Sequence, residues 1–166
     1  KIEIVLQSHI TTTALCGVIC PKILITENFQ KADAQHIEYT FVHELSHYKR
    51  GDIAINYLLI FLRCVHWFNP IVGFLFKEIK RDTELAADER TMLCINPRES
   101  KNYGMVIINT LSTASKKSPA LLGMANNKYD IKKRIKAIAK FKKPNFVQQL
   151  SGVFAVILIG LVCLTS

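Results

Sequence analysis

His43-Glu44-Leu45-Ser46-His47 reads H-E-x-x-H, and thirty-seven positions after His47 comes Glu84-Leu85-Ala86-Ala87-Asp88. On a helix His43 and His47 stand at i and i+4, so both imidazoles project from one face. That spacing lets two neutral nitrogens hold one Zn²⁺, with Glu44 beside the ion as general base. A catalytic centre needs a third protein ligand and an open water position, and Glu84 is the natural candidate for the ligand. The pattern points to metal-assisted peptide hydrolysis.

The chain between the two motifs makes their meeting physical. Gly51 ends the first helix and Asp52 is expected to cap the next. Ile53 to Phe68 is sixteen residues with one charge, Arg63. Asn69-Pro70 breaks the pattern, and a second helix is predicted from about Ile71 to Met92. At about 1.5 Å per residue the outgoing helix climbs roughly 24 Å, and Pro70 to Glu84 returns about 21 Å. A helical hairpin therefore brings Glu84 back to the level of His47. Asp88, one turn on from Glu84, is expected to accept the distal N–H of a ligand histidine and so fix its tautomer. Glu89 and Glu78 are read as solvated. His9, His36 and His66 lack ligand spacing, and His66 groups with Trp67 and Phe68 as an interfacial aromatic cluster.

Elsewhere the pattern is coarser. Ile2, Ile4 and Leu6 alternate with polar residues, a short strand signal. Ala14 to Ile25 is β-rich, broken by Gly17 and Pro21, and proline suits an edge strand. Such an edge could hold a substrate as an added strand, or be purely structural. Thr26 to Lys31 reads as a loop. Thr26 or Asp33 could cap the helix that carries H-E-x-x-H to about Arg50. Ser100 to Ser112 is predicted helical and Ser115 to Lys128 irregular. Tyr129 to Phe141 places Ile131, Ile135 and Ile138 on one face among Lys and Arg, a basic amphipathic helix suited to a membrane surface.

The chain has 166 residues, enough for one domain with a sizeable core, and is 49% hydrophobic. Its net charge of +9 is local. Lys116 to Lys143 holds ten Lys/Arg against Asp130 alone, and the remainder holds twelve of each sign. No recognition motif supports direct nucleic-acid binding. From Pro144 to Ser166 there is no charged residue. A basic block beside an apolar run is the positive-inside pattern, which puts residues 1–143 on the cytoplasmic side. The sequence starts at Lys1 with no Met and no signal-peptide pattern, and it ends at Ser166 inside the apolar run. It is therefore read as a piece of a larger membrane protein. The five cysteines, Cys16, Cys20, Cys64, Cys94 and Cys163, are odd in number and scattered, which argues against a disulfide framework.

These residues resemble the integral-membrane antirepressor metallopeptidases of the beta-lactam-sensing Bla and Mec transducers. The resemblance runs from Cys20-Pro21-Lys22-Ile23-Leu24 through H-E-x-x-H and Trp67-Phe68-Asn69-Pro70 to Glu84-Leu85-Ala86-Ala87-Asp88-Glu89. It continues into Lys132-Lys133-Arg134-Ile135 and the terminal apolar run. Ala87 stands where relatives often carry Cys. The resemblance implies an α+β, mainly α-helical fold. Its parts are a gluzincin-like zinc metalloprotease domain over residues 1–143, with a small N-terminal β-sheet and a helical hairpin, and a transmembrane helix over 146–166. It implies Zn²⁺ as cofactor, His43, His47 and Glu84 as ligands and Glu44 as base. It also implies that the domain cleaves itself and promotes cleavage of a cytoplasmic transcriptional repressor, inducing beta-lactam resistance genes. The implied partners are protein substrate and membrane lipid, in a bacterial cell membrane; a homodimer stays open. For the self-cut, Ser115–Lys128 is the expected segment. Two other readings stand beside this one: a housekeeping quality-control zinc protease, and a non-enzymatic scaffold with a structural zinc site. The intact Glu44 argues against the scaffold, because a structural site needs no base.

Overall fold

A computed structural model describes residues 2–117 and 128–143, His9, Thr11 and Lys31 excepted. It is mainly helical with one small sheet. Strands β1 (Glu3–Leu6), β2 (Ala14–Cys16) and β3 (Lys22–Ile25) lie in the order β1-β3-β2. β1 runs parallel to β3 and β2 antiparallel to it. The expected β-rich stretch is thus two strands. Gly17 turns the chain between them at φ 85°, where an added Cβ would fall 2.4 Å from the Cys20 carbonyl oxygen. The strand after Pro21 is central and not an edge. Pro21 escapes the usual penalty because it precedes β3 and only its carbonyl is used, by the Glu3 N–H.

The residues expected as a loop after β3 form a short helix, α1 (Glu27–Gln30). Both candidate caps are used. Thr26 Oγ1 accepts from the Phe29 N–H at 3.1 Å, and Asp33 Oδ1 accepts from the His36 N–H at 2.7 Å to start α2 (Ala34–Arg50). Gly51, at φ 73°, stops α2 by donating its N–H to the His47 and Tyr48 carbonyls. α3 (Asp52–Val65) then rises, and Asn69 caps α4 (Pro70–Cys94) with Pro70 in its first turn. A 3₁₀ turn, Pro97–Glu99, leads into α5 (Ser100–Lys117). α5 takes in Ser115, Lys116 and Lys117 from the segment expected to be irregular. The rest of that segment, 118–127, lies outside the described residues. α6 (Lys128–Ala139) closes the described fold.

The core lies where α2, the end of α4, α5 and α6 meet. Tyr39, Met92, Ile95, Tyr103, Ile107 and Ile138 are buried there, with Val106, Leu111, Ile135 and Phe141 packed against them. The Tyr39 and Tyr103 rings meet edge to face at 5.9 Å. The apolar face of α6 is therefore spent on the protein interior and is not free to lie on a membrane surface. The α3–α4 hairpin differs. Its apolar side chains point outward, with Phe61 63%, Trp67 81% and Phe68 69% exposed. Among the described residues no helix is long and apolar enough to cross a membrane. The span expected at 146–166 lies outside them.

Candidate metal centre

α2 passes through the middle of the fold, and α4 returns beside it. The His43 and His47 rings stand edge to face, with centroids 4.8 Å apart. Their Nε2 atoms are 3.3 Å apart. Glu84, from α4, brings Oε2 to 3.7 Å from His43 Nε2 and Oε1 to 4.0 Å from His47 Nε2. These side chains offer three ligand atoms within 4.8 Å of one another. The donor set fits a tetrahedral ion. Two nitrogens each about 2.05 Å from zinc at the tetrahedral angle sit about 3.3 Å apart, which matches the imidazole separation. The Glu84 carboxylate stands further off, one oxygen toward each imidazole, and would draw in toward both nitrogens on binding an ion.

Each imidazole is held from behind. His47 Nδ1 lies 2.8 Å from Asp52 Oδ2, and the Arg50 Nε–H donates to both Asp52 oxygens at 3.1 and 3.2 Å. Asp52 was expected to cap α3. Its side chain instead turns back across Gly51 to the histidine, and no side chain caps α3. His43 Nδ1 lies 2.9 Å from the Tyr103 hydroxyl and 3.3 Å from Asp88 Oδ1. The Tyr103 hydroxyl donates to Asp88 Oδ1 at 2.7 Å. Its oxygen is thus free to accept from His43 Nδ1–H, which leaves Nε2 as the metal-facing nitrogen. Arg134, from α6, completes the surroundings. Its Nε and Nη2 donate to the two Asp88 oxygens at 2.7 and 2.8 Å, and its Nη1 lies 2.9 Å from Glu84 Oε2.

The charges reinforce one another. Burial alone would lower the pKa of His43, but Asp88 and Glu84 overcome it and push it up to about 9. Burial and the nearby His43 charge lower His47. Burial works to raise Glu84 and Asp88, yet His43 and Arg134 hold both below the usual carboxylate range. Glu44 behaves differently. Burial pushes it up to about 7, against the opposing pull of His43 and of a hydrogen bond from the Leu15 backbone. Leu15 belongs to β2, an outer strand, so the free edge of β2 runs beside Glu44.

Three residues that shape the centre escaped the sequence reading: Asp52, Tyr103 and Arg134. Arg134 left a signal. It lies three positions after Ile131 and four before Ile138, on the apolar face of α6, where a charge needs a buried partner. Tyr103 and the turn-back of Asp52 are set by tertiary packing. Glu89 is exposed as expected, whereas Glu78 is half-buried and pairs with Arg81. His66 bonds through Nδ1 to the Leu62 carbonyl, away from the centre. Among the described residues the cysteines are unpaired.

The family model described as "BlaR1 peptidase M56" matches residues 1–138. The chain is 33% identical over 128 residues to "Regulatory protein BlaR1" of Bacillus licheniformis, covering 76% of this chain and 21% of that protein. It is 29% identical over 153 residues to the "Methicillin resistance mecR1 protein" of Staphylococcus aureus and of Staphylococcus epidermidis, covering 87% of this chain and 26% of those proteins. The chain thus spans about a quarter or less of the length of the curated relatives it matches. A match that takes in β1 to β3, the H-E-x-x-H helix, the Glu84 helix and nearly all of α6 leaves no part of the centre outside it, and the chain belongs to the BlaR1 peptidase M56 family.

Proposed function

We propose that this chain is the zinc endopeptidase part of a membrane signal transducer that cuts itself and promotes proteolysis of a transcriptional repressor, inducing beta-lactam resistance genes. The observation that carries the reading is the convergence of His43, His47 and Glu84 with Glu44 on the adjoining helical position. His43 and His47 would hold Zn²⁺ through Nε2, and Glu84 through a carboxylate oxygen. When bound, the ion polarises the scissile carbonyl and acidifies water. Glu44 takes a proton from the attacking water and passes it to the leaving amine. A carboxyl poised near 7 suits that exchange at neutral pH. Asp52 and the Tyr103–Asp88 pair hold the two imidazoles in the tautomer that presents Nε2. The outer edge of β2, beside Glu44, would align an extended peptide as an added strand.

The bare apolar hairpin supports contact with membrane lipid. α3 is apolar over most of its circumference, with Ile55, Leu58, Leu62 and Val65 on one face and Tyr57, Ile60 and Phe61 on others, all exposed, and Asp52, Asn56 and Arg63 along one narrow stripe. A wide exposed apolar face of this kind is matched by an apolar surround such as lipid. In this reading residues 1–143 form a cytoplasmic protease domain and 146–166 a membrane span. The family relationship supports the regulatory role over housekeeping proteolysis. The poised Glu44 favours an enzyme over a scaffold.

The test is zinc analysis with repressor cleavage, in wild type and Glu44→Ala. Zinc in both and cleavage only in wild type is the expected result. Cleavage that survives Glu44→Ala refutes the reading.

A further inference from the structure

Arg134 is a buried guanidinium that touches the carboxylates of both Glu84 and Asp88. Its three contacts close a ring. The ring runs from His43 to the Tyr103 hydroxyl, to Asp88, to Arg134, to Glu84, and back to His43 across the space between their ligand atoms. Glu84 and Asp88 are one helical turn apart on α4, so the half-buried Glu84 and the buried Asp88 carboxylates face the same side. Facing them are His43 from α2 and, forty-six positions beyond Asp88, Arg134 from α6. We infer that Arg134 is a positioning residue of the metal centre: its guanidinium fork fixes the direction of the Glu84 carboxylate and locks Asp88 beneath His43.

This inference rests on the metal reading above and adds a residue that touches neither ion nor substrate. A planar fork is what the geometry requires. Nε and Nη2 occupy Asp88 in a bidentate grip, and Nη1 is left pointing at Glu84. A lysine ammonium is a point charge and cannot hold both carboxylates in one plane. Arg134 sits on the helix whose Ile135 and Ile138 join the core, but its hold on Glu84 and Asp88 is made by the guanidinium itself. The Glu84 carboxylate then meets the ion already oriented.

The experiment is chelator competition for zinc on the detergent-solubilised full-length protein. Arg134→Gln, Arg134→Lys and Ile138→Ala are compared with wild type, with melting temperature recorded for each. Loss of a partner that orients a metal ligand weakens metal binding about 10- to 100-fold. That loss is expected for Arg134→Gln, with a smaller one for Arg134→Lys and partial recovery of Arg134→Gln on adding millimolar methylguanidinium. Ile138→Ala should lower the melting temperature and leave zinc affinity unchanged, since it loosens α6 without touching either carboxylate. Wild-type affinity in Arg134→Gln overturns the inference. So does an equal loss in Ile138→Ala, which would reduce Arg134 to a packing role. If Arg134→Gln fails to fold, Arg134→Lys decides: weakened zinc binding with normal melting supports the role, and unchanged binding overturns it. A wild-type protein that binds no zinc overturns the metal reading itself, which separates that failure from one confined to Arg134.

Discussion

Asp52 holds the Nδ1 of His47 at 2.8 Å although the two are only five positions apart, because Gly51 reverses the chain between α2 and α3 in a left-handed turn. A helix stop and an imidazole support are thus one local structure. Its effect is to deny Nδ1 any other partner and leave Nε2 for the ion. Asp52→Asn keeps the shape but replaces a charged acceptor with an amide. The expected outcome is a roughly 10- to 100-fold loss of zinc affinity or activity with little change in melting temperature. Isothermal titration of the metal-free protein checks it. Unaltered zinc binding would show that His47 is oriented by its helix alone.

The metal-free protein should lose stability as pH rises. His43 is held at about 9 in the fold, above its ordinary 6.5. A raised folded pKa contributes stability that is complete below about 6.5 and is lost as pH rises through 9. Glu44, raised to about 7, adds to the same trend, because its protonated form is favoured in the fold and is lost as pH passes 7. Between pH 6.5 and 9 the expected decline for His43 alone is on the order of 3 kcal/mol. Zinc bound at His43 Nε2 would remove that titration, so the metal-loaded protein is expected to show a much flatter profile. Melting temperatures with and without zinc measure both. A metal-free profile that rises over this window contradicts the electrostatic account.

The hairpin offers its own reporter. Trp67 is the only tryptophan in the chain, and it sits 81% exposed at the turn between α3 and α4. In lipid vesicles its emission should shift to the blue and be quenched by brominated acyl chains. Replacing Phe61 and Phe68 by serine should weaken that quenching, since burying each aromatic contributes about 1.5–3 kcal/mol. Full quenching by aqueous acrylamide, with none from brominated lipid, would remove membrane contact from the account.

How much could be read ahead of the structure follows from range along the chain. The i, i+4 histidines, the Gly51 stop and the Asn69-Pro70 start depend on a few neighbouring residues, and helix rise alone carried Glu84 back to His47. The mainly helical fold with its small sheet was legible for the same reason. Long-range choices were not. Tyr129 to Phe141 read as a basic amphipathic helix suited to a membrane surface, yet its Arg134 turns inward onto Asp88 and Glu84 of α4. Ala14 to Ile25 read as a broken β-rich stretch suited to an edge, yet after the turn at Gly17 its second strand lies central in the sheet and its first lies outermost, against Glu44. Asp52 satisfied the local rule for a cap, but a histidine across the turn was the stronger partner.

The central claim is that the side chains on α2 divide their labour, two histidines holding metal and the glutamate between them moving protons. Zinc content and proteolysis measured together on His47→Ala and Glu44→Ala test it most directly. The account expects His47→Ala to lose zinc and activity at once, and Glu44→Ala to keep stoichiometric zinc while activity falls by about 10²-fold or more. Glu44→Ala purifying without zinc, or His47→Ala retaining it, would contradict the account.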